Sequence, residues 1–361
     1  MKKRIFLLLS LCILVLLLFA CTSGTVSSAP EADPVSLSVD ASKAKYWYVS
    51  GAEIDPAGLV ITAALSDGSI KEISVSECTY DKPPFVPYGE KEVIVHFGEL
   101  SATYPIYTCP STTETEKHTT YLIRKNENGK QVTLTASLVD QETPFVLILP
   151  GGGYTTALPT GNEGCGYADR INALGYNAFV LEYSTQMQHP APLDDVDLAY
   201  EIIEQNRDFF GVTMDNYAVC GSSAGGHLAG TWCTENVGYA HYNRPRPAAA
   251  ILVYPVISFV NKSDGETQNN LIGNDPSKEI VHALSIDEHV SSNYPPTYLW
   301  VFVEDGLMPD TELMEKTLEN AGVPHIARYF HGGRHGIGLA EGTEAEGWLD
   351  EAIAFWRENW K

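Results

Sequence analysis

The chain opens with an apolar run from Ile5 to Ala20, broken by Ser10 and preceded by Met1-Lys2-Lys3-Arg4. That pattern predicts a secretory signal peptide over residues 1–20, too short and too closely followed by Cys21 for a membrane span. From Thr22 to Pro34 the residues are mostly Ser, Thr, Ala and Pro, which predicts a flexible tether over residues 21–34. The pattern then shortens its period. Leu59 to Leu65, Ile70 to Val75 and Glu92 to Phe97 alternate apolar and polar positions, and Asp67-Gly68 separates the first two. Short strands joined by an Asp-Gly turn predict a small all-β sandwich over residues 35–110. Ser111 to His118 is polar and turn-rich, which predicts a linker between domains.

Residues 119–361 suit one large domain. Here continuous apolar runs alternate with helical stretches: Phe145 to Leu149, Asn177 to Leu181, Tyr217 to Cys220, Ala249 to Tyr254, Tyr298 to Val303 and His325 to Phe330. This order predicts a doubly wound, mostly parallel sheet with helices on both faces. In one helix Val196, Ala199, Ile202 and Ile203 recur at helical spacing, Pro192-Leu193-Asp194-Asp195 supplies cap chemistry and Gly211 follows the end. Ser258 to Pro295 is a polar stretch, expected to be a solvent-facing excursion with one helix. The alternative is that its Asn261, Asn269, Asn270 and His289 line a cleft.

The formal charge is −23, and losing Lys2, Lys3 and Arg4 with the leader takes the mature chain to −26. Such a balance speaks against nucleic acid as a partner and against polyanionic substrates. Of the seven cysteines, five remain once Cys12 leaves with the leader and Cys21 is set aside. Cys78 and Cys109 share one segment, where pairing is an open alternative to free thiols, and Cys165, Cys220 and Cys233 sit in runs that read as buried. No Cys or His spacing suggests zinc.

Gly221-Ser222-Ser223-Ala224-Gly225 fits GxSxG, the strained strand-to-helix turn that lifts a serine to the top of an α/β-hydrolase sheet. Ser223 is the candidate nucleophile; Ser222 would have Cys220 and Ala224 as flanks in that register. A serine hydroxyl needs an imidazole to take its proton and a carboxylate to fix the imidazole's tautomer, in the chain order Ser, acid, His. Asp305 follows the run Tyr298 to Val303, and His335 follows Gly332-Gly333-Arg334 after the last strand. Glu304, Asp310 beside the next helix, and His331 are the competitors, and His227 and His325 read as structural or surface histidines. Gly151-Gly152-Gly153-Tyr154 leaves the strand Phe145 to Leu149, so the backbone N–H groups of Gly152, Gly153 and Ala224 are the expected oxyanion hole. Tyr154 and Tyr254 are candidate substrate contacts. The glycines spell neither a dinucleotide fingerprint nor a P-loop, and neither a metal nor an organic cofactor is expected.

Three resemblances add to this reading. Leu18-Phe19-Ala20-Cys21 resembles the lipobox of bacterial lipoproteins, which implies lipidation of Cys21 and a cell-surface location anchored to the membrane. Tyr46 to Gly51, Ile54 to Val60, Ser66 to Ser69 and Gly89 before Val93-Ile94-Val95 resemble bacterial Ig-like domains, which usually serve as spacers; Tyr46, Trp47 and Tyr48 stacking on sugar rings is the alternative. Pro150 to Tyr154, Glu163-Gly164, Pro190 to Asp195, Gly221 to Ala229, Tyr254 to Ser258 and His335 to Leu339 resemble the acetyl xylan esterase and feruloyl esterase group of the α/β-hydrolase superfamily. Pro150 replaces the usual leading histidine of the glycine loop, and Ser222 stands where that group more often has an aromatic. The resemblance implies a serine esterase acting on acetyl or feruloyl esters of plant polysaccharides. A general short-chain esterase or lipase, an amide-cleaving formamidase or peptidase, and a surface binding protein working through the Ig-like module are the alternatives.

Overall fold

Alternation of buried and exposed positions builds two small sheets at the start of the computed structural model, which describes residues 32–261 and 264–360. The expected signal peptide, Cys21 and the tether up to Glu31 lie outside the described residues. Strands β1 (Pro34–Asp40), β3 (Val60–Leu65) and β4 (Ile70–Ile73) form one antiparallel sheet. The other contains β2 (Trp47–Val49), β5 (Thr79–Asp81), β6 (Gly89–Phe97) and β7 (Leu100–Cys109), with β2 parallel to β7. Ile61, Ala63 and Ile73 from the first sheet and Val93, Val95, Tyr104 and Ile106 from the second are buried. Cys78 and Cys109 are both free thiols.

Residues 111–330 carry a nine-stranded sheet in the order β16-β15-β14-β13-β11-β12-β10-β9-β8. Its strands are β8 (Ser111–Glu114), β9 (His118–Lys125), β10 (Gln131–Ser137), β11 (Phe145–Leu149), β12 (Asn177–Glu182), β13 (Ala218–Ser222), β14 (Ala249–Val253), β15 (Thr297–Phe302) and β16 (His325–Phe330). β11 to β16 pair in parallel, while β8, β9 and β10 add an antiparallel edge next to β12. The segment expected to be a linker, 111–118, is therefore an edge strand and its turn, with Ser111 opposite Tyr121. Its Ser and Thr side chains suit a half-solvated edge, where a polar pattern no longer separates strand from loop.

Helices cover both faces of the parallel part. α1 (Cys165–Ala173) and α8 (Trp348–Glu358) lie on one side; α2 (Ala191–Gln205), α3 (Arg207–Phe210), α4 (Ala224–Trp232) and α7 (Met308–Ala321) lie on the other. Strands packed on both faces must be apolar at every position. In β11, Phe145, Leu147 and Leu149 enter the core under α2 and α4, and Val146 and Ile148 enter the one under α1 and α8. The 258–295 excursion holds two helices rather than one, α5 (Gly265–Ile272) and α6 (Lys278–Ala283), followed by a 3-10 turn at Ile286–Glu288.

The small sheets meet α2 through Tyr46 and Trp47. Gln205 Oε1 accepts from the N–H groups of Tyr46 and Trp47 at 3.0 and 2.9 Å, and Asn206 Nδ2 donates to Trp47 O at 3.1 Å. The Tyr46 hydroxyl donates to Glu201. Trp47 and Tyr48 are buried. α2 descends from the carboxyl ends of the strands, so its Gln205 end lies at the opposite rim of the sheet. No helix of the described residues is long and apolar enough to cross a membrane.

Candidate active site

β13 delivers Ser223 into a turn with φ 54° and ψ −121°, and α4 starts at the next residue. A Cβ at Gly221 would fall 2.1 Å from Gly225 O, and one at Gly225 would fall 2.1 Å from Leu149 O. The elbow therefore needs both glycines, and it lies directly against the end of β11. Ser222 points away into the core, where its Oγ lies 3.0 Å from the Tyr167 hydroxyl. That tyrosine satisfies the polar residue standing in an aromatic's usual place.

β15 ends at Phe302, and Asp305 sits in the turn that follows, its Oδ1 accepting the Leu307 N–H at 2.9 Å. Asp305 Oδ2 lies 2.7 Å from His335 Nδ1, and His335 Nε2 lies 2.9 Å from Ser223 Oγ. A carboxylate can only accept, so Nδ1 carries the proton and Nε2 is left to accept from the serine. The loop carrying His335 rests on the Phe302 ring, which a Cβ at Gly333 would meet at 2.1 Å. Glu304 turns outward to accept the Gly332 N–H at 3.3 Å, and His331 Nδ1, 3.5 Å from Glu304, is exposed. Neither reaches the serine. Asp310 is buried in the first turn of α7 and accepts the Ile257 N–H at 2.7 Å, and His325 Nδ1 faces Val323 O at 2.8 Å.

Burial pulls the His335 pKa down, but the hydrogen bond and charge of Asp305, with the charges of Glu163 and Asp264, outweigh it. The imidazole is left above its ordinary value. His227 behaves oppositely. It is fully buried, and burial drives its pKa down to about 4. Its Nε2–H donates to Leu284 O at 2.8 Å, so its Nδ1 accepts from the Tyr154 hydroxyl at 2.8 Å.

The glycine loop is pinned from several sides. Tyr183 donates to Pro150 O at 2.7 Å, the Gly151 N–H donates to Glu163 Oε2 at 3.0 Å, and Asn270 Nδ2 donates to Gly153 O at 2.7 Å. These contacts hold the loop in the absence of a leading histidine. Gly152 has φ +136°, and a Cβ there would meet Thr156 O at 2.3 Å. The N–H groups of Gly152, Gly153 and Ala224 carry no hydrogen bond among the described residues.

Neither of the two tyrosines expected at the substrate lines the cavity over Ser223. Tyr154 is buried because the left-handed turn at φ 56° sends its ring inward onto His227. Tyr254 is buried as well. Its hydroxyl lies 2.5 Å from Glu163 Oε1 and 3.1 Å from the Gly338 N–H, and its ring backs the His335 ring at 4.8 Å.

A cavity of about 510 Å³ opens over Ser223 and His335. Its walls are Gly151, Gly152, Gly153, Thr155, Glu163 and Gly336, with Asp264, Glu266 and Thr267 from the excursion. Asp264 caps α5, its Oδ1 accepting the Glu266 and Thr267 N–H groups at 3.1 Å. The excursion, expected to face solvent, thus lines the cleft, and it does so through its cap rather than through the amides of the alternative reading. Of those, Asn270 braces the loop, and His289 Nε2 faces His282 O at 2.9 Å. Sequence reading missed Glu163 and Asp264 as site residues; the Asp-Gly start of a helix within the excursion was the available signal for the second. Among the described residues no group of three His, Cys, Asp or Glu side chains is placed to hold a metal ion.

The BD-FAE family pattern matches residues 134–312, a span that includes the glycine loop, Ser223 and Asp305 and ends before His335. An acetylxylan esterase of Xylanibacter ruminicola is 27% identical over 201 residues, 53% of this chain and 40% of that protein. Endo-1,4-beta-xylanase B of Butyrivibrio fibrisolvens is 29% identical over 223 residues, 58% of this chain and 35% of that protein. The chain thus spans well under half the length of these curated relatives. The crystal structure of an acetyl ester-xyloside bifunctional hydrolase from Caldicellulosiruptor lactoaceticus superposes with a TM-score of 0.59 at 28% identity, covering 66% of this chain and 94% of that one.

Proposed function

We propose that the chain is a serine esterase removing acetyl groups from plant polysaccharides, on the footing that residues 134–312 match the BD-FAE family pattern of α/β-hydrolases. The observation that carries this reading is the hydrogen-bonded chain from Ser223 through His335 to Asp305. Ser223 Oγ attacks the ester carbonyl while His335 Nε2 takes its proton, and the charge on the former carbonyl oxygen is met by the N–H groups of Gly152, Gly153 and Ala224. His335 then protonates the departing sugar oxygen, leaving an acyl group on Ser223. Water, deprotonated by the same imidazole, releases the acid.

The cavity walls hold glycine, threonine and carboxylates and no aromatic or long aliphatic side chain, which supports a small acyl group over a feruloyl group. The names of the relatives point to xylan as the alcohol side. The leader, the Cys21 motif and the two-sheet module belong to the same reading: a lipid-anchored, cell-surface enzyme with a bacterial Ig-like spacer.

Protein beginning after Cys21 is offered p-nitrophenyl acetate, acetylated xylan, feruloylated arabinoxylan and aminoacyl anilides in parallel. Acetate release from the first two, with slower feruloyl release, is expected. Turnover confined to the anilides removes the ester reading, and no turnover of any substrate favours a binding protein.

A further inference from the structure

The glycine loop and the His335 loop come from opposite parts of the sheet, yet one carboxylate touches the supports of both. Glu163 sits just before α1, and Gly164 beside it can carry no side chain, since a Cβ there would lie 2.2 Å from Pro159 O. That close approach fixes where the glutamate stands. One oxygen, Oε2, accepts the Gly151 N–H at 3.0 Å. The other, Oε1, accepts the Tyr254 hydroxyl proton, and the Tyr254 oxygen in turn accepts the Gly338 N–H at 3.1 Å. Gly338 lies three residues past His335 and packs on the chain beside Glu163, where a Cβ would meet Asn162 Cβ at 2.7 Å. The Tyr254 ring completes the circuit against the imidazole.

We propose that Glu163 is a positioning residue for the esterase reaction, tying the glycine loop to the His335 loop so that backbone donors and imidazole keep register with Ser223. The proposal rests on the esterase reading. Both carboxylate oxygens accept here, which an amide cannot reproduce: Gln offers one acceptor and would turn its NH2 toward either the Gly151 N–H or the Tyr254 hydroxyl. Aspartate keeps the charge but is one methylene too short to serve both partners. Because the tied groups act on the transition state, loosening them should lower kcat more than it changes KM.

The test is Glu163→Gln and Glu163→Asp on p-nitrophenyl acetate across pH, with active sites counted by fluorophosphonate labelling. Both variants should lose about tenfold or more in kcat per labelled site. Glu163→Gln should also move the acid limb to lower pH, because it removes a negative charge that favours protonated His335, whereas Glu163→Asp should leave that limb near its original position. Kcat per labelled site within about twofold of wild type and an unmoved limb in Glu163→Gln would overturn the proposal. A role in folding alone would lower stability and the number of labelled sites without either change. If Glu163→Gln is not recovered folded, Tyr254→Phe decides the matter: it keeps the ring on His335 and removes the joining hydroxyl, so an unchanged kcat sinks the proposal. Wild-type protein that neither hydrolyses the ester nor takes the label overturns the esterase reading and this inference with it.

Discussion

Ser223 is held at a positive φ that serine seldom adopts, a conformation worth about 1–3 kcal/mol of strain, and the contacts of Gly221 and Gly225 impose it. That same turn aims the hydroxyl at His335. The imidazole accepts a proton only when neutral, and its raised pKa means that it protonates at higher pH than a free imidazole does. Kcat/KM should therefore fall with acidification through a midpoint above about 6.5, the ordinary histidine value. A midpoint well below that, or one indifferent to replacement of His335, would contradict the assignment. These residues were legible because GxSxG, the acid after a strand and the late histidine stand in a fixed order along the chain. Glu163 was quoted within a motif but given no role, since nothing in its spacing reveals that it meets Gly151 and Tyr254. Tyr154 and Tyr254 were misplaced for a related reason: adjacency to a motif says nothing about which way a ring turns at a positive φ.

At the scale of elements, continuous apolar runs located β11 to β15, because a strand buried on both faces has few polar positions to blur the signal; β16 was located too, although it lies at the sheet edge with Arg328 exposed. β8, β9 and β10 escaped the same reading. Thr119, Thr120, Thr133 and Thr135 look polar in the sequence, yet Thr133 and Thr135 are buried and Thr120 pairs its hydroxyl with that of Thr135 at 2.9 Å. α2 was found from its buried spacing but not from its cap, since Pro190 caps it with no side-chain bond. Asp195, read as cap chemistry, instead accepts the Ser184 N–H at 2.6 Å and pairs with Arg124 of β9 at 2.6 Å. It clamps the antiparallel edge to β12. Removing one partner of a buried ion pair leaves the other uncompensated, so Asp195→Ala should lower unfolding free energy by about 3–5 kcal/mol in urea titration, tempered by the partial exposure of Arg124. A loss below about 1 kcal/mol would show that the clamp contributes little.

Across the whole molecule, the passage from two small sheets to the nine-stranded sheet follows the change of hydrophobic period near residue 110, although the expected linker from Ser111 already belongs to that sheet. How the small sheets meet α2 does not follow from it. The triplet Tyr46-Trp47-Tyr48 had two sequence readings, core or sugar platform, and the structure puts Tyr46 and the Trp47 backbone at the seam with α2 and buries Tyr48. None of the cavity walls comes from residues before Gly151. Trp47→Ala should thus cost about 3–5 kcal/mol, lost from its ring packing on Tyr107 and the core of the small sheets. It should leave kcat/KM on p-nitrophenyl acetate unchanged; a fall in activity of the still-folded hydrolase domain would mean that the seam reaches the site.

The most direct measurement is peptide mass spectrometry after exposure to a fluorophosphonate, with the labelling rate followed in wild type and in His335→Ala. One adduct on Ser223, formed far more slowly when His335 is replaced, is the expected result. An adduct on Ser222, none at all, or a rate indifferent to the loss of His335 would show that the hydroxyl, imidazole and carboxylate do not work together.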